Sequence, residues 1–111
     1  MSRGWARGRR RLLVRYNDAV ELRFEWDDAK SQSNQDKHGV SFAEAATLFG
    51  DPLSILIPDL LHSEDEERFV LLGQSQRQRL PVVVHTEREA AIRLISACLP
   101  SVKNLRNYEE A

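Results

Sequence analysis

Near Leu53 the hydrophobic period of the chain changes, and that change limits the folds open to it. From there on, apolar residues come in short strand-like runs, SILIP, RFVLLGQ, LPVVVHT and AIRLISA. An acidic loop, PDLLHSEDEE, and two polar turns of hairpin length, SQRQ and EREA, separate them. Runs joined so closely predict an antiparallel meander. Before Leu53 the signals are those of helices, preceded by one strand, LRFEW, which alternates apolar and charged residues from Leu22. Asp27 is placed to cap a polar helix over DAKSQSNQDKH, and Gly39 is the left-handed residue expected to stop it. Ser41 caps a second helix, with Glu44 three residues on completing a capping box. Phe42, Ala45, Ala46 and Phe49 share one face of it, and Gly50 and Pro52 end it. Ser101, Val102, Leu105 and Tyr108 outline a short closing helix. The expected class is therefore α+β: two N-terminal helices packed on an antiparallel β-sheet with a short C-terminal helix. The other sheet face is left to solvent or a partner.

At 111 residues there is room for one modest core and one domain. The apolar runs are far below bilayer-spanning length, so no membrane role is expected. The single cysteine, Cys98, excludes an internal disulfide and a cysteine-based metal cluster, which suits a cytoplasmic protein. The net charge of −1 hides an asymmetry, because residues 1–21 carry +4 and residues 22–111 carry −5. A basic arm of this kind suits nucleic acid or an anionic surface. The plainer expectation is a disordered N-terminal extension, 1–21, ahead of a folded domain, 22–111.

The stretch VVVHTER raises the question of chemistry, since an apolar strand there ends in groups that move protons and grip anions. Alternation puts His85 on one face with Val83 and Pro81. Arg68 and Arg93 come from neighbouring strands, and Arg77, Arg79 and Arg88 from turns. An arginine cluster around a histidine is what phosphodiester cleavage without a metal requires. Guanidinium groups stabilise the extra charge of a phosphorane-like transition state, and an imidazole moves the proton. In RNA the nucleophile is already present as the 2′-hydroxyl. The structural alternative for His85 is a strand-end histidine bonded to a nearby carboxylate, and for His38 a cation stabilised at a helix C-terminus. His62, Glu64 and Asp65 carry no recognised metal-ligand spacing, and no metal or cofactor is expected. The run EDEE reads as a solvated turn, or as a docking point for a basic partner.

From Phe24 to about Ala97 the chain resembles the BrnT family of toxins from bacterial type II toxin–antitoxin systems. FEWDDAKSQSNQDKHGVSFAEAATLFGDP, HSEDEERFVLLG and VVVHTERE followed by IRLISA carry the likeness. The family is similar in fold to the RelE superfamily of small ribonucleases. The resemblance implies a metal-independent endoribonuclease that arrests translation and growth. It also implies a BrnA-type antitoxin that neutralises the toxin and represses the shared operon, so operator DNA is met only indirectly. The family pattern matches Lys37 and His38 in KHG, Arg68 in EERF, and His85, Thr86 and Arg88 in VVVHTER. Arg93 matches a basic position and Tyr108 the aromatic of the closing helix. Catalysis is expected of His38, Arg68, His85 and Arg93, with Arg68 and Arg93 binding phosphate and a histidine moving the proton. Lys37, Arg77, Arg88 and Tyr108 are expected to hold substrate. The chain departs from the pattern at Cys98, where the family has arginine, and the segment that follows keeps only Lys103 and Arg106 as cations. Three readings follow: an active ribonuclease, a weakened toxin kept as an antitoxin-binding co-repressor, and a nucleic-acid binder working through the basic arm.

Overall fold

The computed structural model describes residues 9–15, 21–59, 66–88 and 90–100. β1 (Arg9–Arg15) and β2 (Glu21–Asp27) lead into α1 (Asp28–His38), α2 (Phe42–Ala46) and a 3-10 turn, Thr47–Gly50. β3 (Ile55–Pro58), β4 (Arg68–Leu72), β5 (Val82–Arg88) and β6 (Ala91–Cys98) complete the described chain. The strands form one sheet in the order β1-β2-β6-β5-β4-β3. β2 runs parallel to β6, and every other pair is antiparallel.

The expected RelE-like arrangement, two N-terminal helices packed on an antiparallel sheet, is overturned by this architecture. Two strands precede the helices, the sheet is mixed, and the helical part is two short segments and a turn. β1 falls inside the basic segment 1–21 and pairs with β2 along its whole length. The parallel pairing has a physical origin. β2 and β6 both carry large apolar side chains on one face, Phe24 and Trp26 against Ile92 and Leu94, so both belong at the sheet centre, where burial is greatest. Joining them in parallel requires the long crossover that the intervening chain provides. The closing helix expected from Ser101 to Tyr108, and most of the acidic loop, lie outside the described residues.

The helices are short for identifiable reasons. Asp27 caps α1, its carboxylate accepting from the N–H of Ala29 at 2.8 Å, and Gly39 closes it at φ +73°. The only side chain α1 buries is Asn34. Asn34 Nδ2 donates to the carbonyls of Val40 (2.8 Å) and Ala97 (2.7 Å), and Oδ1 accepts from Ala97 N (3.1 Å). β2 pairs with β6 only over Ala91–Arg93. Beyond that the edge of β6 would be bare, and the Asn34 amide stands in for the missing strand at Ala97. α2 stops after Ala46, where the Thr47 hydroxyl donates to the Glu44 carbonyl at 2.6 Å and the chain tightens into the 3-10 turn. Of the expected capping box only half forms. Ser41 Oγ accepts from Glu44 N, but the Glu44 carboxylate turns away to Ser75 and Arg79.

The core gathers on one sheet face. Phe24, Trp26, Leu71, Val83, Ile92, Leu94 and Ala97 from the strands meet Val40, Phe42, Ala45, Ala46 and Leu48 from the helical layer. Phe24 packs edge-on against Phe49 at 5.1 Å, and Trp26 against Phe42 at 6.5 Å. No helix among the described residues is long and apolar enough to cross a membrane.

Candidate functional site

The strand registers decide which side chains can meet. Phe69, His85 and Leu94 are opposite one another on β4, β5 and β6, and this row faces the core. The adjacent row, Arg68, Thr86 and Arg93, therefore points to the opposite face, away from the helices. Glu25 on β2 extends that row beyond Arg93, and Arg11 on β1 extends it further. At its centre Thr86 is only 1% exposed, and its buried hydroxyl oxygen has no hydrogen-bond partner. Arg93 is half-buried and makes no ion pair with a described residue, whereas Arg68 is engaged in a polar contact. Beside them lies a cavity of about 110 Å³ lined by Asp27, Lys30, Glu66, Arg68, Arg93 and Ile95. Arg88, two residues past Thr86 on the same face, donates to Glu66 Oε2 at 2.7 Å.

His85 lies one residue away and faces the other way. Its ring is 0% exposed, edge-on to Phe49 at 4.9 Å and stacked on Phe69 at 5.7 Å. Nε2 is 3.4 Å from Glu87 Oε2, and Nδ1 is buried without a partner. Burial pushes its pKa below the ordinary 6.5, against the smaller opposing pull of Glu87, so the ring is neutral at pH 7. Val83 and Pro81 are buried as expected for its face, but the arginines expected to converge on His85 stand across the sheet from it.

A second group forms at the opposite end of β5. The connection from Leu72 to Val82 carries Arg77 and Arg79, and Thr86 lies four residues beyond Val82, about 13 Å along the strand. Lys37 and His38, both exposed, end α1. The structure thus brings Arg68, Arg88 and Arg93 together and keeps Lys37, His38 and Arg77 out of that group. Glu44 organises this second end. Its carboxylate takes the Arg79 guanidinium through both oxygens, accepts from Ser75 Oγ at 2.7 Å, and lies 3.9 Å from Arg77. Arg79 also donates to the Gly39 carbonyl at 2.8 Å. The Arg79 hydrogen bond does most to hold the Glu44 carboxyl below its usual range, outweighing its desolvation. Sequence reasoning missed this pair. The available signal was a carboxylate set among buried alanines of α2, where a charge requires a partner.

Cys98 is half-buried, and burial raises its thiol pKa. It pairs with Val82 on the same face as Arg93, and because a bulge between Leu94 and Ser96 absorbs one residue it lies about 13 Å further along β6. Tyr108 and His62 lie outside the described residues.

A family model described as "Ribonuclease toxin, BrnT, of type II toxin-antitoxin system" matches residues 26–99, a span that contains Arg68, Thr86, Arg88 and Arg93. No curated protein matches the chain.

Proposed function

Because the chain belongs to the BrnT family, the ribonuclease toxins of type II toxin–antitoxin systems, we propose that it cleaves RNA on the sheet face opposite the helices, with Arg68 and Arg93 on the scissile phosphate. The observation that carries this reading is the row Arg68, Thr86 and Arg93, two cations flanking a buried hydroxyl whose oxygen has no partner. Arginines two strands apart are separated by about 10 Å at their Cα atoms, so their long side chains can close on one phosphate from either side. The 2′-hydroxyl gives up its proton and attacks phosphorus, the 5′-oxygen leaves and takes a proton from solvent water, and the products are a 2′,3′-cyclic phosphate and a free 5′-hydroxyl. Charge rises on the phosphoryl oxygens during the attack, and the guanidinium groups stabilise it without a metal. Thr86, buried at the centre of the row, holds the floor beneath the two guanidinium groups. Among the carboxylates lining the cavity, Asp27 is occupied in capping α1, which leaves Glu66, oriented by Arg88, to take the 2′-hydroxyl proton. His85, enclosed by Phe49 and Phe69, acts as a positioning residue that fixes β5 beneath Thr86.

In the cell this activity arrests translation and growth by destroying mRNA. The partner is a protein antitoxin, which we take to be of the BrnA type, with operator DNA contacted only through it. The test is induced expression without the antitoxin, following growth and RNA integrity. Arrest with RNA fragmentation is expected of the wild type and is lost in Arg68→Ala/Arg93→Ala. It persists in Lys37→Ala/Arg77→Ala. The opposite pattern moves the site to the Glu44 end.

A second reading, a weakened toxin retained as co-repressor, draws on one observation: the thiol at position 98 is half-buried and neutral, adding no charge to the substrate face. Its signature is indifferent growth together with intact antitoxin binding.

A further inference from the structure

One row along from Arg68, Thr86 and Arg93, on the same sheet face, Arg23, Ala91 and Arg88 lie side by side on β2, β6 and β5. The two rows are built alike. In the first a buried threonine separates arginines two strands apart, and in the second an alanine does. Arg93, two residues beyond Ala91 on β6, points to the same face and borders both rows. Ala91 projects only a methyl group, so a floor about 10 Å wide opens between Arg23 and Arg88. Its centre is one strand over and two residues along from Thr86, about 8 Å away.

The arginines around this floor differ in how far they are committed. Arg88 gives one nitrogen to Glu66, and Arg93 serves the scissile phosphate. Arg23 is exposed and makes no ion pair with a described residue. Leu13, its neighbour on β1, is 56% exposed and offers no charge. The acids two residues away on β2 do not claim it either. Glu25 has Arg11 and Arg93 on either side in its own row, and Glu21 makes a contact of its own. An exposed guanidinium without a counter-charge, at the rim of a floor beside a phosphate site, suits a second phosphate. The family match starts at residue 26, so Arg23 lies ahead of it.

In-line geometry gives the direction of the strand. Glu66, as the base, meets the 2′-hydroxyl from the β4 side. The entering and leaving oxygens lie on opposite sides of phosphorus, so the 5′-oxygen departs toward β6 and β2. The nucleotide that leaves carries the next phosphate, and one extended sugar–phosphate repeat covers the step from the Thr86 floor to the Ala91 floor. Resting this on the ribonuclease reading, we propose that Arg23 is a substrate-binding residue that holds the phosphate following the scissile one, so that the RNA strand crosses the sheet from β4 toward β2.

The test uses the full chain and short strands in which a single ribonucleotide stands among deoxynucleotides, one strand for each base at that position. Only the phosphate 3′ to the ribose can then be cleaved, which fixes the register. In one matched set the following phosphate is an uncharged methylphosphonate, and in another the preceding one is. kcat/KM is measured for wild type, Arg23→Ala and Arg10→Ala. Arg10→Ala removes a charge from the same two strands but on the helix face, where Arg10 pairs with Asp28, and is expected to match wild type. Wild type should lose about tenfold or more on the following methylphosphonate, the worth of a hydrogen bond to a charged group. Arg23→Ala should show that loss already on the unmodified strand and none further on the modified one. Arg23→Thr keeps a strand former at the position and carries the same expectations if Arg23→Ala fails to fold. A wild type indifferent to the following methylphosphonate overturns the proposal whatever the variants do. Equal sensitivity of wild type and the Arg23 variants overturns it while the ribonuclease reading stands, as does coupling of Arg23 to the preceding phosphate or an equal loss in Arg10→Ala. Strands that wild type leaves intact at every base overturn the ribonuclease reading and the proposal together.

Discussion

At the scale of single residues, His85 and Glu44 respond to acid in different ranges. The folded chain keeps His85 neutral because burial lowers its pKa, whereas the unfolded chain protonates it near 6.5. Below that value the unfolded state binds more protons, so this contribution is complete above pH 6.5 and is lost as pH falls, by at most about 1.4 kcal/mol per pH unit. Urea midpoints at pH 7.5 and 5.5 should show the loss, and His85→Phe should abolish it by putting an apolar ring between Phe49 and Phe69. A wild type equally stable at both values would contradict the buried neutral ring. Glu44 has its pKa lowered, chiefly by Arg79, so its contribution is present above 4.5 and disappears as pH falls below that. Glu44→Gln leaves the partly buried Arg79 without its counter-charge. A lower urea midpoint is expected, with a smaller drop than for a fully buried pair because Arg79 keeps some solvent. Glu44→Leu/Arg79→Leu should recover much of that loss in the same denaturation experiment. At this scale the face that His85 shares with Val83 and Pro81 was legible from strand alternation, but the placing of Arg68 and Arg93 across the sheet from it was not, because it depends on strand register. The Glu44 partnership was not, because Arg79 is 35 residues away and the local S-x-x-E spacing offered a cap as a sufficient explanation.

Among elements, α1 buries one side chain, Asn34, and its contacts carry the tie to the sheet. It has almost no apolar surface, and Asn34 ties it to the stretch of β6 that β2 does not reach. Asn34→Ala should strand the N–H and C=O of Ala97 in a buried position, at about 1–3 kcal/mol for each group left unpaired. Amide exchange at Ala97 is the discriminating measurement, since it should accelerate well beyond the amides of the β4–β5 ladder. Uniform acceleration throughout the sheet would mean that Asn34 supports only global stability. Strand and cap positions were legible because alternation in LRFEW and AIRLISA, and the Asp27, Gly39 and Ser41 signals, are local physics. The order of strands was not. Nothing near Phe24 says that its neighbour is Ile92, and a meander assumes that consecutive strands pair. β1 was missed for a related reason: RRRLLVR is too basic to read as a strand until Leu12 and Val14 are seen against Phe24 and Leu22 of β2.

For the whole molecule, the consequence of this topology is a separation of charge by place. The sheet directs Arg68, Arg88 and Arg93 to one end of the face opposite the helices, and the β4–β5 connection takes Arg77 to the other end, 3.9 Å from Glu44. Position 98 lies on the proposed substrate face but about 13 Å along β6 from Arg93. An arginine there is too far along the strand to replace Arg93 at the proposed phosphate site, yet it can meet a more distant part of the same RNA strand. Cys98→Arg should therefore tighten RNA binding and add about 0.7 to the slope of log affinity against log salt, the increment for one more single-strand phosphate contact. The single-turnover cleavage rate at saturating RNA should stay unchanged, because that rate reports only groups that stabilise the transition state better than the bound substrate. A saturating rate that rises many-fold with unchanged binding would instead bring position 98 to the reacting phosphate and require β6 to bend from its present course.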